Sequence, residues 1–337
     1  MVAIPAERLE SFAAEAFEAA GLPTDDARTA ANIMTRISLR GLDGHGIFRR
    51  PQYIERIRAG GINPNPDIRI AQETAATALI DGDNAIGHLA VNKAAQAAMD
   101  KAADNGVAWA GVNNSNHAGA VSVYAMMPME RDMIGICIAI GSANHVPPWG
   151  GVEMLLGTNP IAVAIPALEE PPIVLDMATT VAAFGKVKTA ALRGETMPEG
   201  WMIDKEGNPL TDPARADEGF PLPIGGYKGY GLALIFGLLA GTLNGASIGR
   251  VVKTGQLVIA LDIKAFADVE TFKRNVDTVI RTMKASPTMP GFDDVMLPGE
   301  QSHEKSVRFA RDGVPVADPL LKKLDALAAE LKIDPLV

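Results

Sequence analysis

Apolar positions recur at helical spacing from Ala6 to Ala20, and Gly21 stops the run. Thr24 is read as the cap of a second helix. Asp25 and Asp26 fall in its first turn, where negative charge suits the helix dipole, and the helix runs to about Arg40 and ends at Gly41. Pro51 opens a third helix, stopped by Gly60 and Gly61. From about residue 77 the pattern changes. Short apolar runs, most of them rich in Ile and Val, occupy Thr77 to Ile80, Val107 to Val112, Ile134 to Ile140, Ile161 to Ile165, Ile173 to Leu175 and Leu257 to Leu261. Runs of this kind suit buried strands. Helical stretches lie between them, at Ala85 to Asp104, Ala118 to Met127 and Tyr230 to Leu243. The alternation predicts a three-layer α/β core behind a helical N-terminal part. Leu192 to Pro223 reads as a long loop-rich segment punctuated by five prolines, and Asp318 to Leu331 as a closing amphipathic helix. No internal repeat or low-complexity tract appears.

Ala233, Gly237, Gly241 and Gly245 recur every four residues, which on a helix makes one face of small residues. Close packing on a neighbouring element is the plain expectation, and a subunit contact the sharper one. Gly229 to Gly249 carries no Asp, Glu, Lys or Arg. It is long enough to span a membrane but short of apolar residues and rich in glycine, so a buried helix is expected instead. The 337 residues carry a formal charge of −9 with no Lys/Arg block, which argues against nucleic acid as the main partner. With 47% hydrophobic and 21% charged residues, the chain can bury enough apolar surface to offset its ordering entropy. The one cysteine, Cys137, excludes an intrachain disulfide and a multi-cysteine zinc site. The N-terminus shows no apolar core of a signal peptide, so a cytoplasmic protein without a membrane partner is expected.

Several signatures are missing. No G-x-G-x-x-G follows a strand, Gly185-Lys186 is followed by Val187 rather than Ser or Thr, and neither H-E-x-x-H nor G-x-S-x-G occurs. Ordinary Rossmann enzymes, P-loop enzymes, zincins and α/β-hydrolases are thereby disfavoured, and no metal is expected. Five histidines remain. His45 lies in Asp43-Gly44-His45-Gly46, with Arg49 four residues on. An imidazole beside a guanidinium suits a 2-oxo or 2-hydroxy carboxylate: Arg49 would bind the carboxylate and His45 would exchange a proton with the oxygen. A structural turn with a surface arginine is the alternative. His117 follows an apolar strand in Asn113-Asn114-Ser115-Asn116-His117, at the strand end where ligands bind in α/β sheets. It reads either as an acid/base or as a polar loop residue capping a helix. His88, His145 and His303 read as incidental. Gly225 to Gly231, with Lys228, opens a helix and suits an anion cradle or a simple turn.

Taken together, the spaced segments resemble the malate/L-lactate dehydrogenase family of the non-Rossmann type. That family also holds sulfolactate, ureidoglycolate and diketogulonate dehydrogenases and piperideine/pyrroline-2-carboxylate reductases. The match runs from Leu39-Arg40-Gly41 to Pro51-Gln52-Tyr53, through Asn114 to His117 and Pro148-Trp149-Gly150-Gly151. It continues through Gly157-Thr158-Asn159-Pro160, Leu175 to Thr179, Gly225 to Gly231 and Leu297 to Glu300. The resemblance implies a three-layer mixed-sheet core of the sulfolactate-dehydrogenase-like type over residues 76–299. A helical subdomain, 1–75, would be joined by the C-terminal helix in 300–337. It implies an enzyme using NAD or NADP, and a homodimer. Carried over by position, His117 and His45 match the family's substrate-site histidines and Arg49 its carboxylate arginine. Ser142, Asp176, Met177, Ala178, Thr179, Lys228, Gly229, Gly299 and Glu300 match cofactor positions.

Two departures stand out. Gly44 occupies the place where the family usually has Ser, and Ile140 to His145 replaces a Thr-Asn-Ser-Pro-Pro run. The reading is hydride transfer between a nicotinamide cofactor and a small 2-oxo or 2-hydroxy carboxylate. The rivals are reduction of a cyclic imine carboxylate by the same residues and a ligand-binding protein that has lost catalysis, for which Gly44 is the support.

Overall fold

The structure, a computed structural model, describes residues 1–141, 143–246 and 254–337. Ser142 and the end of the uncharged stretch from Gly229 to Gly249 lie outside the described residues. The chain starts with strand β1 (Val2–Ile4) and helices α1 (Ala6–Ala19), α2 (Thr24–Leu39) and α3 (Arg50–Arg58). Then come β2 (Arg69–Glu73), β3 (Thr77–Ala85), α4 (Gly87–Asn105), β4 (Val107–Ser115), α5 (Ser122–Met126), β5 (Met133–Ala139), β6 (Ile161–Ile165) and β7 (Ile173–Met177). After α6 (Phe184–Arg193) and the short pair β8 (Met202–Asp204) and β9 (Gly219–Pro221) follow α7 (Tyr227–Ala240) and β10 (Gln256–Asp262). The chain closes with α8 (Val269–Lys284), α9 (Glu300–Asp312), β11 (Val314–Val316) and α10 (Asp318–Leu331).

Both α1 and α2 begin directly after a proline, Pro5 and Pro23, whose carbonyls accept from Leu9 and Ala27. Thr24 is therefore the first helical residue rather than the cap, and no side chain caps either helix. The negative charge of Asp25 and Asp26 is still in the first turn.

Seven strands form one mixed sheet in the order β2-β3-β4-β10-β5-β6-β7. Only β3 and β4 run parallel; the other pairs are antiparallel. Successive side chains alternate between the two faces. Ala108, Ala110, Cys137, Ala139, Val258 and Ala260 point to one face, where α4 and α5 pack in the largest core cluster. Ile136, Ile138, Leu257 and Ile259 point to the other, where Phe236 and Ala240 of α7 cover them. The result is three layers. The strands on the α4 side are lined with alanine, which lets α4, itself rich in alanine, approach closely. Burial also pushes the Cys137 thiol up, so it is an inert core residue.

Of the four small residues, Ala233 and Gly237 lie on α7, Gly241 caps its C-terminus and Gly245 lies beyond it, and Ala233 and Gly241 pack on neighbouring elements as the plain expectation had it. Asn159 donates to the Ala233 carbonyl, and a Cβ on Gly241 would fall 2.3 Å from Ile140. At the other end of the molecule β1 pairs with β11, and α10 packs against α1 and α3. Leu9 and Phe12 of α1 share a core there with Val314, Val316, Leu324 and Ala328. The edge strand β2 belongs to the main sheet, which thus starts at Arg69.

Candidate active site

Four pieces of chain meet beside the parallel pair. The first is the loop leaving α2. Ser38 donates to the Met34 carbonyl and accepts from the Ile47 amide, so it holds the loop Arg40 to Gly46 in a tight return. The second is the exit of β4. Asn116, 5% exposed, donates to the carbonyls of Asn84 and Ala85 at 2.9 Å and accepts from Arg56 at 2.8 Å. Gln256 of β10 donates to its carbonyl at 3.1 Å. With its side-chain amide and its carbonyl engaged, Asn116 fixes where the next residue, His117, projects. The third is α3, and the fourth is the start of α4. There a Cβ on Gly87 would lie 2.2 Å from the Asn116 carbonyl. Only glycine permits that approach.

The arrangement brings His45 and His117 into a stack, with ring centroids 5.4 Å apart and planes inclined by 14°. Tyr53 Oη lies 2.5 Å from His117 Nδ1, and the Gly119 amide donates to the same nitrogen at 3.2 Å. His88 stands edge-on to Tyr53 at 5.2 Å, completely buried. So two residues that sequence reasoning left outside the site, Tyr53 and His88, belong to it. Neither carries a local sequence signal of that role. Arg49 donates through Nε to the Gly44 carbonyl and through Nη1 to Gln52, both at 2.9 Å, and forms no ion pair among the described residues. Its remaining guanidinium edge is available to a carboxylate.

All three imidazoles are held neutral. Burial, reinforced by Arg49, pushes His45 down to about 4. Burial and then His45 push His88 down to about 3. His117 falls well below its ordinary value through burial and then the charges of His45, Arg49, His88 and Arg56. A Cβ built on Gly44 meets nothing within 4 Å, so the structure offers no steric reason for glycine in place of serine.

The residues matched to cofactor positions fall in two places. Asp176 and Gly299 line a cavity of about 150 Å³ together with Arg40, Leu42, Ser122 and Ser302. Arg40 is 6% exposed and its Nε has no hydrogen-bond partner. Desolvation by the surrounding packing raises the Asp176 carboxyl above its ordinary range, against hydrogen bonds from Ser122 and the pull of Arg40, while the residue stays exposed. A carboxylate, a guanidinium with an uncommitted donor and two hydroxyls match the ribose hydroxyls and phosphates of a dinucleotide, so the donor set fits part of one. Gly299 has φ +87°, and a Cβ there would lie 2.6 Å from the Val174 carbonyl. Glu300 accepts from Lys284 at 2.6 Å and from the Leu297 amide at 2.9 Å, which fixes the turn that carries Gly299.

The second place is the crossing of α7 over the end of β7. Thr179 donates through both its amide and its hydroxyl to Thr158, and its carbonyl accepts from Ile224. A Cβ on Gly229 would be 2.5 Å from Ile224 and 2.7 Å from the Thr179 carbonyl. Met177 and Ala178 lead into this crossing half-buried, and Lys228 is exposed at the first turn of α7. Arg40 and Leu42 in the cavity wall are joined to His45 by four residues or fewer of loop, which links the two regions. Among the described residues, no group of three or more His, Cys, Asp or Glu is placed to hold a metal, and no helix is long and apolar enough to cross a membrane.

A sequence profile described as malate/L-lactate dehydrogenase matches residues 4–325. The chain belongs to the malate/L-lactate dehydrogenase family. Malate/(S)-sulfolactate dehydrogenase of Methanothermus fervidus is 37% identical over 341 residues, covering 98% of each chain. The solved structure of sulfolactate dehydrogenase from Methanocaldococcus jannaschii superposes with a TM-score of 0.92 at 37% identity, covering 99% of this chain and 98% of that one. A pyrroline-2-carboxylate/piperideine-2-carboxylate reductase of Pseudomonas putida is 29% identical over 97% of each chain. Membership makes this chain a dehydrogenase-family enzyme with the mixed seven-stranded α/β fold of that family, as the motifs led one to expect.

Proposed function

We propose that this chain catalyses reversible hydride transfer between NAD or NADP and a small carboxylate bearing a 2-oxo or 2-hydroxy group. The observation that carries the proposal is the stack of His45 on His117 beside Arg49. Arg49 holds the substrate carboxylate with its uncommitted guanidinium edge, which places the adjacent C2 oxygen at the imidazoles. His117 is the principal acid/base, and His45 is its partner or a second ligand of the oxygen. When bound, the nicotinamide supplies or accepts the hydride. Asp176, Gly299 and Arg40 would hold the polar part of the dinucleotide, with Met177 to Thr179, Lys228 and Gly229 at the α7 crossing. Likeness to the Pseudomonas putida reductase supports a second reading, in which the same residues act on the C=N carbon of a cyclic imine carboxylate.

We further infer a homodimer. Beyond Lys228 in its first turn, α7 carries no charge, and Leu232, Ile235 and Leu238 stand exposed along its outer face. A helix of that kind belongs in an interior, and a second copy would cover it. The single cysteine supports a cytoplasmic location.

Initial rates of NADH and NADPH oxidation with pyruvate, oxaloacetate, other 2-oxo acids and the five- and six-membered cyclic imine carboxylates test the proposal. Strong turnover of one 2-oxo acid is expected. Turnover of the imines alone would move the protein to the second reading. No turnover and no nucleotide binding would leave a ligand-binding protein as the better account.

A further inference from the structure

We propose that Tyr53 is the positioning residue of the acid/base: its phenol stores the proton behind His117, so that Nε2 can release a proton in one direction of reaction and take one up in the other. This rests on the reading above, in which His117 exchanges a proton with the substrate oxygen.

Two bonds fix the resting state. A backbone amide can only donate, so the Gly119 N–H makes His117 Nδ1 an acceptor, and the proton of the neutral ring sits on Nε2. The Tyr53 hydroxyl lies 2.5 Å from the same Nδ1 and must therefore donate to it as well. Nε2–H faces a difficulty when it gives up its proton: the ring becomes an imidazolate unless Nδ1 gains one. Of the two groups on Nδ1, only the phenol has a proton to give. Protonating the ring beforehand is disfavoured by burial and by the groups around it, namely His45 from the α2 loop, Arg49 and Arg56 around and within α3, and His88 from α4.

The transfers balance as follows. In reduction the Nε2–H bond breaks and an O–H bond forms at the substrate oxygen. At the same time the Tyr53 O–H bond breaks and Nδ1–H forms. The ring stays neutral throughout, and the negative charge passes from the substrate alkoxide, the stronger base, to the phenolate. Arg49 and Arg56, four residues before and three after Tyr53, lie on its side of the helix and favour that phenolate. Burial holds the phenol above its ordinary range, which keeps it protonated at rest and brings it closer in basicity to an alkoxide. Oxidation runs the same transfers backwards, and between reductive turnovers Nε2 of the half-buried His117 takes up a proton from the open site while Nδ1 returns its own to the phenolate.

Tyr53→Phe tests this. With the 2-oxo acid as substrate, kcat should fall about 100-fold while KM and cofactor affinity stay within about threefold. The pH profile separates this from mere loss of packing. Without the phenol, delivery requires an imidazolium, so the variant's rate should climb tenfold per pH unit from pH 8 to 6 where the wild type is flat. A profile parallel to the wild type overturns the proposal. Where the variant fails to fold, 3-fluorotyrosine at position 53 keeps the shape and makes the phenol more acidic. The limb of the oxidation profile should then move to lower pH, and an unmoved limb overturns the proposal. Imidazole 15N shifts of His117 need no turnover. The proton should be on Nε2, and Tyr53→Phe should move Nδ1 toward the value of an unbonded acceptor. A proton found on Nδ1 at rest, or a Nδ1 signal indifferent to Tyr53, overturns the pair, whereas an inactive wild type showing the expected shifts overturns only the reaction.

Discussion

Arg49 has no carboxylate partner among the described residues, so its removal should be felt mainly by the substrate. Arg49→Ala is expected to raise KM for the carboxylate about 100-fold, the worth of a charge-assisted pair. Steady-state kinetics that leave KM unchanged would end that role. Gly44→Ser should behave differently. Its new Cβ meets open space and its backbone is not in the left-handed region, so thermal denaturation should show a change in Tm of no more than about 2 °C. At this scale the sequence was informative about some residues and silent about others. Histidines at a strand exit and beside an arginine could be picked out by residue type and spacing. Tyr53 and His88 could not, because a tyrosine inside an amphipathic helix and a histidine at a helix start look like ordinary core residues. What places them in the site is the crossing of α3 and α4 beside the exit of β4, a long-range property.

Element boundaries followed the same logic. Strands with runs of Ile and Val, such as Ile161 to Ile165, and helices framed by Pro and Gly, such as α1, were legible because burial on both faces and chain-stopping residues are local signals. Helix α8 was not singled out, although its apolar positions Val269, Phe272, Val276, Ile280 and Met283 recur at helical spacing. Yet α8 has a distinct task. Asp277, 1% exposed, accepts from the amides of Leu168, Glu169 and Glu170 at 3.0–3.2 Å. Burial works against the charge, but those donors and Arg281 outweigh it and hold Asp277 below the usual carboxylate range. A carboxylate with a lowered folded pKa contributes stability above its unfolded pKa of about 4 and loses it as pH falls further. Asp277→Asn should therefore lower the urea midpoint at pH 6, with the gap to wild type narrower at pH 3. Equal gaps at both pH values would show that the charge is not what matters.

For the molecule as a whole, three neutral histidines, His88 buried and His45 and His117 half-buried, set the acid limit. Their folded pKa values are lowered, so the unfolded chain binds protons first as pH falls. The stability is complete above about pH 6.5 and drains away toward about 4, the value for His45. Each such proton steepens the loss by up to about 1.4 kcal/mol per pH unit. Urea midpoints measured from pH 7 to 5 should fall, and His88→Leu, which removes a ring with neither nitrogen bonded, should flatten the fall. A slope that His88→Leu leaves untouched would place the acid sensitivity elsewhere.

Strand β10 sits in the middle of the sheet although it is the last of the seven to be made. During synthesis this has a cost in time. Until Asp262 has left the ribosome, β2-β3-β4 and β5-β6-β7 are two separate ribbons, each with an open inner edge that only β10 can fill. The same delay governs the far end, where β1 waits for β11, more than three hundred residues later. Such non-local pairing makes for slow folding. A nascent chain of this protein thus carries two unpaired edges from the completion of β5 at Ala139 until β10 is made, more than a third of its elongation.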